Sequence, residues 1–410
     1  MKSVILSLFF LIVFSITGCE KQDSGEVSKD INLTTEQKQI VSSSNSFGLD
    51  IFKQIVGNSK AGENVFISPL SVSMALSMLY NGAATQTKTE LKEGLGYVGL
   101  SDTEVNEANR DLIKALIDAD PKVAMEVANS IWYKNTFAVE PAFLAVNKDY
   151  LSADVRSAAF DAATKDQINS WVSDKTHQKI KSIVDQIPGE AVMYLINAIY
   201  FKGVWKYQFD TKNTGPGNFY LANGTTKQVD FMTQEGSFDY YQNDMFTAID
   251  LPYGKGNYSM MVMVPKPGKT YSDIVKAMNA QNWSTWTNSM NKINKIKVYL
   301  PKFRFSFKKE LNDDLTAMGM PSMFSNLADL SGISKGNSLM VSKVMHKSFV
   351  EVNEEGTEAA AVTSVEIVLT SAGPETPVFS ANKPFVFIIQ EKTTKTFLFM
   401  GVVNEPLSEN

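Results

Sequence analysis

Histidine and cysteine, two residue types that often take part in catalysis, are scarce in this chain. The 410 residues include two histidines, His177 and His346, and a single cysteine, Cys19. The sequence has no His-Glu-x-x-His zinc motif and no Walker-type phosphate loop, and no two acidic residues stand out as an acid–base couple. We therefore predict that the protein is not an enzyme, and the sequence suggests neither a metal site nor a cofactor.

The single cysteine lies at the end of an N-terminal export signal. Met1 and Lys2 precede an apolar run at 4–14, and small residues follow up to Cys19. The run is too short for a permanent membrane-spanning helix. The Ile-Thr-Gly-Cys ending resembles that of bacterial lipoprotein signals, which predicts removal of residues 1–18 and lipidation of Cys19. An ordinary signal peptide with an incidental cysteine is the alternative.

A lipid at Cys19 predicts where the mature protein resides. Acyl chains on the new N-terminus give stable membrane attachment. We therefore expect an exported protein anchored in the cell envelope, at the outer membrane and facing either the periplasm or the cell surface. Residues 19–35 are mostly polar and predict a lipidated flexible tether. The formal charge of −5 (39 − 44) argues against nucleic acid as a partner.

The elements after the tether predict one large α+β domain at 36–410. Helical spacing dominates the first half, with a capping box that begins at Thr34 and a serine cap at Ser68. Strand patterns dominate the second half, apart from an early strand at 123–133. The later strand-like segments are 194–200, 247–251, 258–264, 296–300, 341–352 and 384–403. One cysteine permits no internal disulfide, so an apolar core must hold the domain together.

Seven segments of this domain, in the same order along the chain, resemble the serpin family. One of them reads Asn-Ala-Ile-Tyr-Phe-Lys-Gly-Val-Trp, and another contains Glu-Glu-Gly-Thr-Glu-Ala-Ala-Ala. The segments lie at 64–71, 197–205, 300–303, 328–333, 350–361, 383–387 and 399–406. Glu405 departs from the usual ending of the last segment. The resemblance covers residue 36 to the C-terminus and implies about nine helices, three β-sheets, a large central sheet and an exposed reactive-centre loop at about 354–380.

The resemblance also implies a mechanism, that of a suicide-substrate inhibitor of serine proteases. In serpins a protease attacks the reactive-centre loop and forms an acyl-enzyme, and the cleaved loop then inserts as a new strand into the central sheet. The hinge residues of the family correspond here to Glu354, Gly356, Thr357, Glu358, Ala359, Ala360 and Ala361. Small side chains favour insertion, and no proline at 354–373 interrupts the strand.

The loop sequence has the alternation that a strand in a sheet requires. Counting from Thr357, every second residue up to Ile367 is small or β-branched and uncharged. Glu358 and Glu366, the two charged residues of this stretch, both fall on the other face. We expect the first face to be buried on insertion, because a charge buried there would be strongly disfavoured.

The spacing that is usual in the family predicts the reactive bond. The seventeenth residue, counted from the first glutamate of the loop, is Thr370. Cleavage is therefore predicted between Thr370 and Ser371, with the bond between Leu369 and Thr370 as the second choice. Counting back from the segment after the loop favours Gly373 instead, but Pro374 follows it directly and most proteases cut poorly there.

The loop also restricts the class of target. No lysine or arginine occurs at 348–382, whereas a trypsin-like protease needs a basic residue for its acidic specificity pocket. We therefore expect an elastase-like or subtilisin-like serine protease as the partner in a covalent complex. A papain-like cysteine protease that recognises Leu369 is the lesser alternative.

Five further residues match serpin positions that control opening of the central sheet. Ser68, Asn197 and His346 correspond to positions that hydrogen-bond beneath the sheet, where a network can hold it closed and still let it open. Trp205 and Lys302 correspond to positions near the point of loop insertion, and Lys302 is expected to pair with the first glutamate of the hinge. A plain helix cap for Ser68, a satisfied core histidine for His346 and simple packing for Trp205 are the simpler interpretations.

A non-inhibitory serpin that acts as a binding module on the cell envelope is the alternative function. The small-residue hinge favours the inhibitory type. Cleavage of the loop should raise the thermal stability of an inhibitor, because its native state is kinetically trapped, and should leave that of a binding module nearly unchanged. In either case we expect a monomer.

Overall fold

The computed structural model describes residues 28–336, 338–357 and 376–407. Within these residues the chain forms an α+β fold with nine α-helices, as the family resemblance implies. The helices are α1 Thr35–Asn58, α2 Pro69–Tyr80, α3 Thr85–Gly94, α4 Asp102–Asp118, α5 Pro141–Leu151, α6 Ala162–Lys175, α7 Tyr271–Ala277, α8 Ala280–Asn288 and α9 Asn312–Ala317. Three of them lie in the half of the chain where strand patterns dominate.

Fifteen strands complete the described part of the fold. They are β1 Val65–Ile67, β2 Val123–Lys134, β3 Asp154–Ala158, β4 Met193–Val204, β5 Gly215–Tyr220, β6 Thr226–Gln242, β7 Phe246–Tyr253, β8 Tyr258–Pro265, β9 Asn291–Pro301, β10 Phe303–Glu310, β11 Met345–Val352, β12 Gly356–Thr357, β13 Val378–Ser380, β14 Phe385–Glu391 and β15 Phe397–Val403. Each predicted strand segment contains a strand, but the segment at 341–352 is a strand only from Met345 onward. The last predicted segment is a hairpin of two strands.

The two helix starts that the sequence predicts are formed by local hydrogen bonds. Thr34 and Gln37 make a reciprocal capping box at the start of α1. Ser68 caps α2 by accepting from the Ser71 amide, and Pro69 occupies the first helical position, where no amide donor is needed. Both starts depend on residues within three positions of one another, which is why the sequence alone reveals them.

The strands form two hydrogen-bonded sheets. The six-stranded sheet has the order β10-β11-β12-β4-β2-β3, and the nine-stranded sheet has the order β1-β15-β14-β8-β7-β6-β9-β13, with β5 paired to β6. The family resemblance implies three sheets, whereas the described residues form two. The reason is the 17-residue strand β6, which pairs with β5 and β9 along most of its length and with β7 at its end. One long strand therefore joins what would otherwise be two sheets.

The main core lies between the two sheets. All seven residues of β14 and all seven of β15 are buried, and α2 contacts both β15 and β4. Phe66 stacks on Phe399 and on Phe387, with ring centroids 5.1 and 5.6 Å apart. A second hydrophobic cluster, beneath α6, covers the opposite face of the six-stranded sheet. The middle of that sheet is therefore covered on both faces, whereas β10 and the start of β2 each keep exposed residues.

The folded body begins before the predicted boundary at residue 36. The Lys29 amide donates to the Ala119 carbonyl at 3.0 Å, Asn257 Nδ2 donates to the Lys29 carbonyl at 3.0 Å, and Ile31 is buried. The last part of the predicted tether thus lies against the body, and residues 19–27 lie outside the described residues. Within the described ranges, no helix is long and apolar enough to cross a bilayer.

Candidate functional site

The start of the predicted loop already lies inside the six-stranded sheet. Thr357 pairs with Val352 of β11 on one side and with Gly203 of β4 on the other. Within the described residues, β11 and β4 are linked only through this two-residue strand, β12. The Thr357 side chain is buried, and its Oγ1 lies 2.6 Å from the Tyr253 hydroxyl. The face of the loop that begins at Thr357 is predicted to be buried on insertion, and its first residue is already buried here.

The backbone at Gly356 requires glycine. Its φ of +155° is rarely adopted by residues that have a side chain, and a Cβ there would lie 2.0 Å from the Gly203 carbonyl oxygen. Gly356 pairs with Val204 of β4 in this geometry. The absence of a side chain thus lets the loop turn into the sheet from the segment that follows β11.

Glu354 is held by an ion pair and two further hydrogen bonds. Lys302 Nζ lies 3.0 Å from Glu354 Oε2, and Thr214 Oγ1 donates to Oε1 at 2.8 Å. The Phe209 amide donates to the Glu354 carbonyl at 3.0 Å. Burial by itself raises the pKa of the Glu354 carboxyl, but hydrogen bonds from its own amide, Lys302 and Thr214 outweigh it and keep that pKa below its usual range. The carboxylate is therefore ionised at neutral pH.

Trp205 fixes the chain that connects β11 to the loop. Its amide donates to the Glu355 carbonyl at 2.7 Å, and its indole Nε1 donates to the Asn353 carbonyl at 2.9 Å. The indole stacks on Tyr253, with ring centroids 4.4 Å apart. Trp205 thus binds the hinge directly and is more than a packing residue.

A chain of buried polar groups runs beneath the sheet, and it includes the three residues that the sequence singled out. The Ser68 amide donates to His346 Nε2 at 3.2 Å. Ser71 Oγ donates to Asn197 Oδ1, so Ser71 connects Ser68 to Asn197. Asn197 Nδ2 donates to Asn129 Oδ1 at 2.7 Å. The chain therefore spans α2, β11, β4 and β2, which are the elements on both sides of the insertion point.

His346 is neutral in this network. Burial lowers the pKa of its imidazole to about 4. Nε2 accepts the hydrogen bond from the Ser68 amide, so protonation of that nitrogen would place two donors against each other. The network therefore depends on a histidine that stays uncharged.

Comparison with known proteins identifies the family. A family model described as "Serpin (serine protease inhibitor)" matches residues 42–406. Iripin-8 of Ixodes ricinus is 33% identical over 404 residues, which cover 95% of this chain and 97% of that relative. The chain belongs to the serpin family.

Solved structures share the fold of this serpin. The thermophilic serpin tengpin in its native state superimposes with a TM-score of 0.83 at 31% identity, covering 92% of this chain and 96% of tengpin. Tengpin in its latent state gives a TM-score of 0.77 at the same identity, over 92% of this chain and 99% of tengpin. Human thyroxine-binding globulin, in complex with thyroxine, gives a TM-score of 0.82 at 28% identity, over 91% of this chain and 100% of the globulin. The fold described here thus fits the native form of tengpin better than the latent form.

Several predicted site residues of this serpin lie outside the described residues. They are Cys19, the hinge residues Glu358, Ala359, Ala360 and Ala361, and the reactive-bond residues Leu369, Thr370 and Ser371. Their roles remain predictions. The described site consists of the first part of the hinge, with its Lys302 and Trp205 contacts, and the polar chain beneath it.

Sequence reasoning missed three residues that complete the site. Thr214 binds the Glu354 carboxylate, Tyr253 binds Thr357, and Asn129 extends the chain beneath the sheet. Asn129 alone carried a signal, as a polar residue within a strand that is otherwise largely apolar. Glu405, the departure from the family pattern, pairs with Lys227 at 2.6 Å.

Two glycine spacings of enzyme families occur in this serpin without their structural context. Gly332, Ser334 and Gly336 have the spacing of a hydrolase nucleophile elbow, but Ser334 is buried in a turn that joins no strand to a helix. The Gly-x-Gly-x-x-Gly spacing at 94–99 begins at the last residue of α3 and lies between two helices, whereas a dinucleotide site follows a strand. In the described residues, no cluster of three or more metal-ligating side chains is present. Serpins are in general protease inhibitors rather than catalysts.

Proposed function

We propose that this serpin is a suicide-substrate inhibitor of serine proteases that traps the acyl-enzyme by inserting its cleaved loop between β4 and β11. The position of β12 is the observation that carries the proposal. Thr357 pairs with both neighbouring strands and Gly356 pairs with β4, and the rest of the predicted insert follows them directly in sequence. Continued pairing in the same direction would add the following loop residues as a central strand.

The covalent step uses the chemistry of the protease. Its serine Oγ attacks the Thr370 carbonyl carbon, the bond to the Ser371 nitrogen breaks, and Ser371 leaves as a new amine that takes up a proton. The acyl bond then connects the protease to Thr370. Insertion of about 14 residues at ~3.3 Å each carries the protease on the order of 45 Å along the sheet before water can release it.

The proposed targets are elastase-like or subtilisin-like serine proteases. The absence of lysine and arginine at 348–382 supports this class, and a papain-like cysteine protease that reads Leu369 is the second candidate. Incubation with a panel of serine and cysteine proteases tests the proposal. We expect an SDS-stable complex with elastase and release of a C-terminal peptide that begins at Ser371. A complex with trypsin and none with elastase would contradict the target class.

A binding module is the second candidate function. Its support is the similarity of the fold to human thyroxine-binding globulin, a serpin whose structure contains bound thyroxine. A protein of this kind would be cleaved in the loop without retaining the protease. The absence of any covalent complex across the whole protease panel would favour this candidate.

We also propose that the mature protein is a lipid-anchored monomer in the cell envelope. The signal-like residues 1–18, followed by Cys19 as the only cysteine, support this placement. In the cells that make it, the wild-type protein should partition into the detergent phase of a membrane extract, and Cys19→Ser should move it to the aqueous phase. Equal partitioning of the two proteins would exclude a lipid at Cys19.

A further inference from the structure

The N-terminal end of the described chain is fixed near the end of the six-stranded sheet at which the loop enters. The Lys29 amide donates to the carbonyl of Ala119, which follows α4, and the Lys29 carbonyl accepts from Asn257. Asn257 lies in the turn between β7 and β8. This turn follows Tyr253, whose hydroxyl contacts Thr357 of β12. The attachment point of the N-terminal segment is therefore a neighbour of the hinge.

Four lysines surround this attachment point. Lys29, Lys122 and Lys206 are exposed, and Lys255 is half-buried. The amides of Lys122 and Lys255 donate to the two carboxylate oxygens of Asp120, at 3.0 and 2.7 Å. Lys206 Nζ donates to the Lys255 carbonyl at 3.0 Å. Within the described ranges, none of the four lysines forms an ion pair. Their ammonium groups can therefore bind an anionic partner outside the chain.

The surface around these lysines differs in charge from the protein as a whole. Asp120 is buried beneath the turn, and the exposed carboxylates adjacent to the lysines in sequence are those of Asp30 and Asp118. Four lysines against two exposed carboxylates leave a positive surface on a chain whose formal charge is −5. Tyr207 is 49% exposed, and its ring centroid lies 6.0 Å from Lys206 Nζ. Exposed tyrosine beside lysine is typical of surfaces that contact a membrane interface.

The length of the N-terminal segment restricts which surface can approach a membrane. Cys19, the proposed lipid site, precedes Lys29 by ten residues (29 − 19). Ten residues span at most ~36 Å even when fully extended. A folded body of this size has a radius of gyration of ~21 Å and is therefore more than ~50 Å across. The surface farthest from Lys29 cannot reach a bilayer that holds a lipid at Cys19.

We infer that this surface binds the anionic head groups of a lipid bilayer; it consists of Lys29, Lys122, Lys206, Lys255 and Tyr207, and we call it the lysine patch. The inference rests on the proposed lipid anchor, which supplies the bilayer. Because the anchor keeps the patch at a high local concentration near the bilayer, the modest attraction of each lysine suffices to orient the body. The loop-entry end of the six-stranded sheet then faces the bilayer, so a protease that attacks the loop would be captured beside the membrane.

Vesicle binding by the chain from residue 19 onward, with Cys19→Ser, tests the lysine patch without the lipid anchor. One set of vesicles contains phosphatidylcholine alone, and the other contains roughly one third phosphatidylglycerol. The triple variant Lys122→Gln, Lys206→Gln and Lys255→Gln, made in the same chain, removes three charges of the patch. Lys29 stays unchanged, because its backbone fixes the N-terminal segment to the body.

Lys266→Gln, Lys269→Gln and Lys276→Gln together are the matched control. They remove the same total charge beyond the other end of β8, ~25 Å from the turn. The Cys19→Ser chain and this control should bind the anionic vesicles and not the neutral ones, and high salt should abolish the binding. The triple patch variant should bind at least about tenfold more weakly.

Equal binding by the patch variant and the control would overturn the inference, as would equal binding of the Cys19→Ser chain to neutral and anionic vesicles. Retention on a soluble acidic polysaccharide without vesicle binding would also overturn it. These outcomes are distinct from failure of the lipid anchor, which phase partitioning of the wild type and Cys19→Ser measures separately.

A depth measurement tests the orientation of the body. A fluorophore attached at Tyr207→Cys in the Cys19→Ser chain should be quenched several-fold more by spin-labelled anionic vesicles than one attached at Tyr220→Cys. Tyr220 is the matched control, because it is 50% exposed and lies ~40 Å from Tyr207 along β6. Equal quenching at the two positions would contradict contact through the lysine patch.

Discussion

At the scale of residues, the site depends on polar groups that are buried and satisfied. Glu354 keeps its charge because Lys302 and Thr214 replace the water that it loses. His346 stays neutral because burial disfavours the charged imidazolium and because the Ser68 amide donates to the lone pair of Nε2. Such groups define one arrangement of the surrounding strands, since any displacement leaves a buried donor or acceptor without its partner.

The buried histidine predicts a pH dependence of stability. The pKa of His346 is about 4 in the folded protein and about 6.5 in an unfolded chain, so the unfolded chain binds more protons between these values. The stability that the neutral imidazole contributes is complete above pH 6.5 and falls by up to about 3 kcal/mol as the pH decreases to 4. In His346→Gln, which can still accept from Ser68, this slope should be much smaller, as measured by urea unfolding at several pH values. Equal slopes for the two proteins would contradict the assignment.

At the scale of elements, β12 determines where a new strand can form. It lies between β11 and β4, turns in at Gly356 and places Thr357 against Tyr253. The Lys302–Glu354 pair and the Trp205 contacts hold the chain just before this strand. In the proposed mechanism, insertion would begin from a pairing that already exists and would not carry the full entropic cost of starting a strand.

A charge on the buried face of this strand should convert the inhibitor into a substrate. Thr357 is buried even before cleavage, so Thr357→Arg would either bury an unpaired charge or force β12 out of the sheet and remove the pairing from which insertion is proposed to begin. Glu358→Arg places the same charge on the predicted solvent face of the next residue. We expect the target protease to cleave Thr357→Arg at the normal rate. An increase of about 1.4 kcal/mol in the insertion barrier slows insertion tenfold. Inhibition of one protease molecule should therefore consume on the order of tenfold or more of this variant than of the wild type. Glu358→Arg should inhibit nearly as well as the wild type. Equal stoichiometries for both variants would argue against the predicted alternation.

At the scale of the whole molecule, the middle of the six-stranded sheet is covered on both faces, and two residues of the loop lie between β11 and β4. The main core supports one face, and α6 with residues 176–187 after it covers part of the other. This sheet can accept a longer central strand only if β10 and β11 move apart from β4, β2 and β3. In the proposed mechanism, the contacts that hold the two halves together on either face of the sheet would limit the rate of loop insertion.

Cleavage of the loop should stabilise the whole molecule. About 14 newly paired residues, each with a net hydrogen-bond contribution of ~1 kcal/mol, should raise the unfolding temperature of a domain of this size by on the order of 10 °C. The measurement compares the intact protein with protein that has been nicked near Thr370 by a non-target protease. Thr357→Arg, nicked in the same way, is the control and should gain much less. A cleaved wild type with an unchanged unfolding temperature would support the binding-module function instead.

Much of the fold and part of the site could be predicted because their signals are local in the sequence. The caps at Thr34 and Ser68 depend on residues three positions apart, and most strands after residue 190 show as apolar runs. The Lys302–Glu354 pair was predicted from the family pattern and is present. The strand β6 and the joining of two sheets through it were not predicted, because a partly exposed strand of mixed composition has no clear period.

The sequence by itself determined the serpin family, the small-residue hinge, the uncharged face of the loop and the absence of a basic residue for trypsin-like targets. Only the tertiary structure decided which distant polar groups meet. Tyr253 and Thr357 are 104 positions apart, and His177 and Glu126 are 51 apart, yet each pair is within 3 Å. The physical reason is that caps and alternation depend on neighbours along the chain, whereas these contacts depend on the order of strands and on the path of the chain across the sheet.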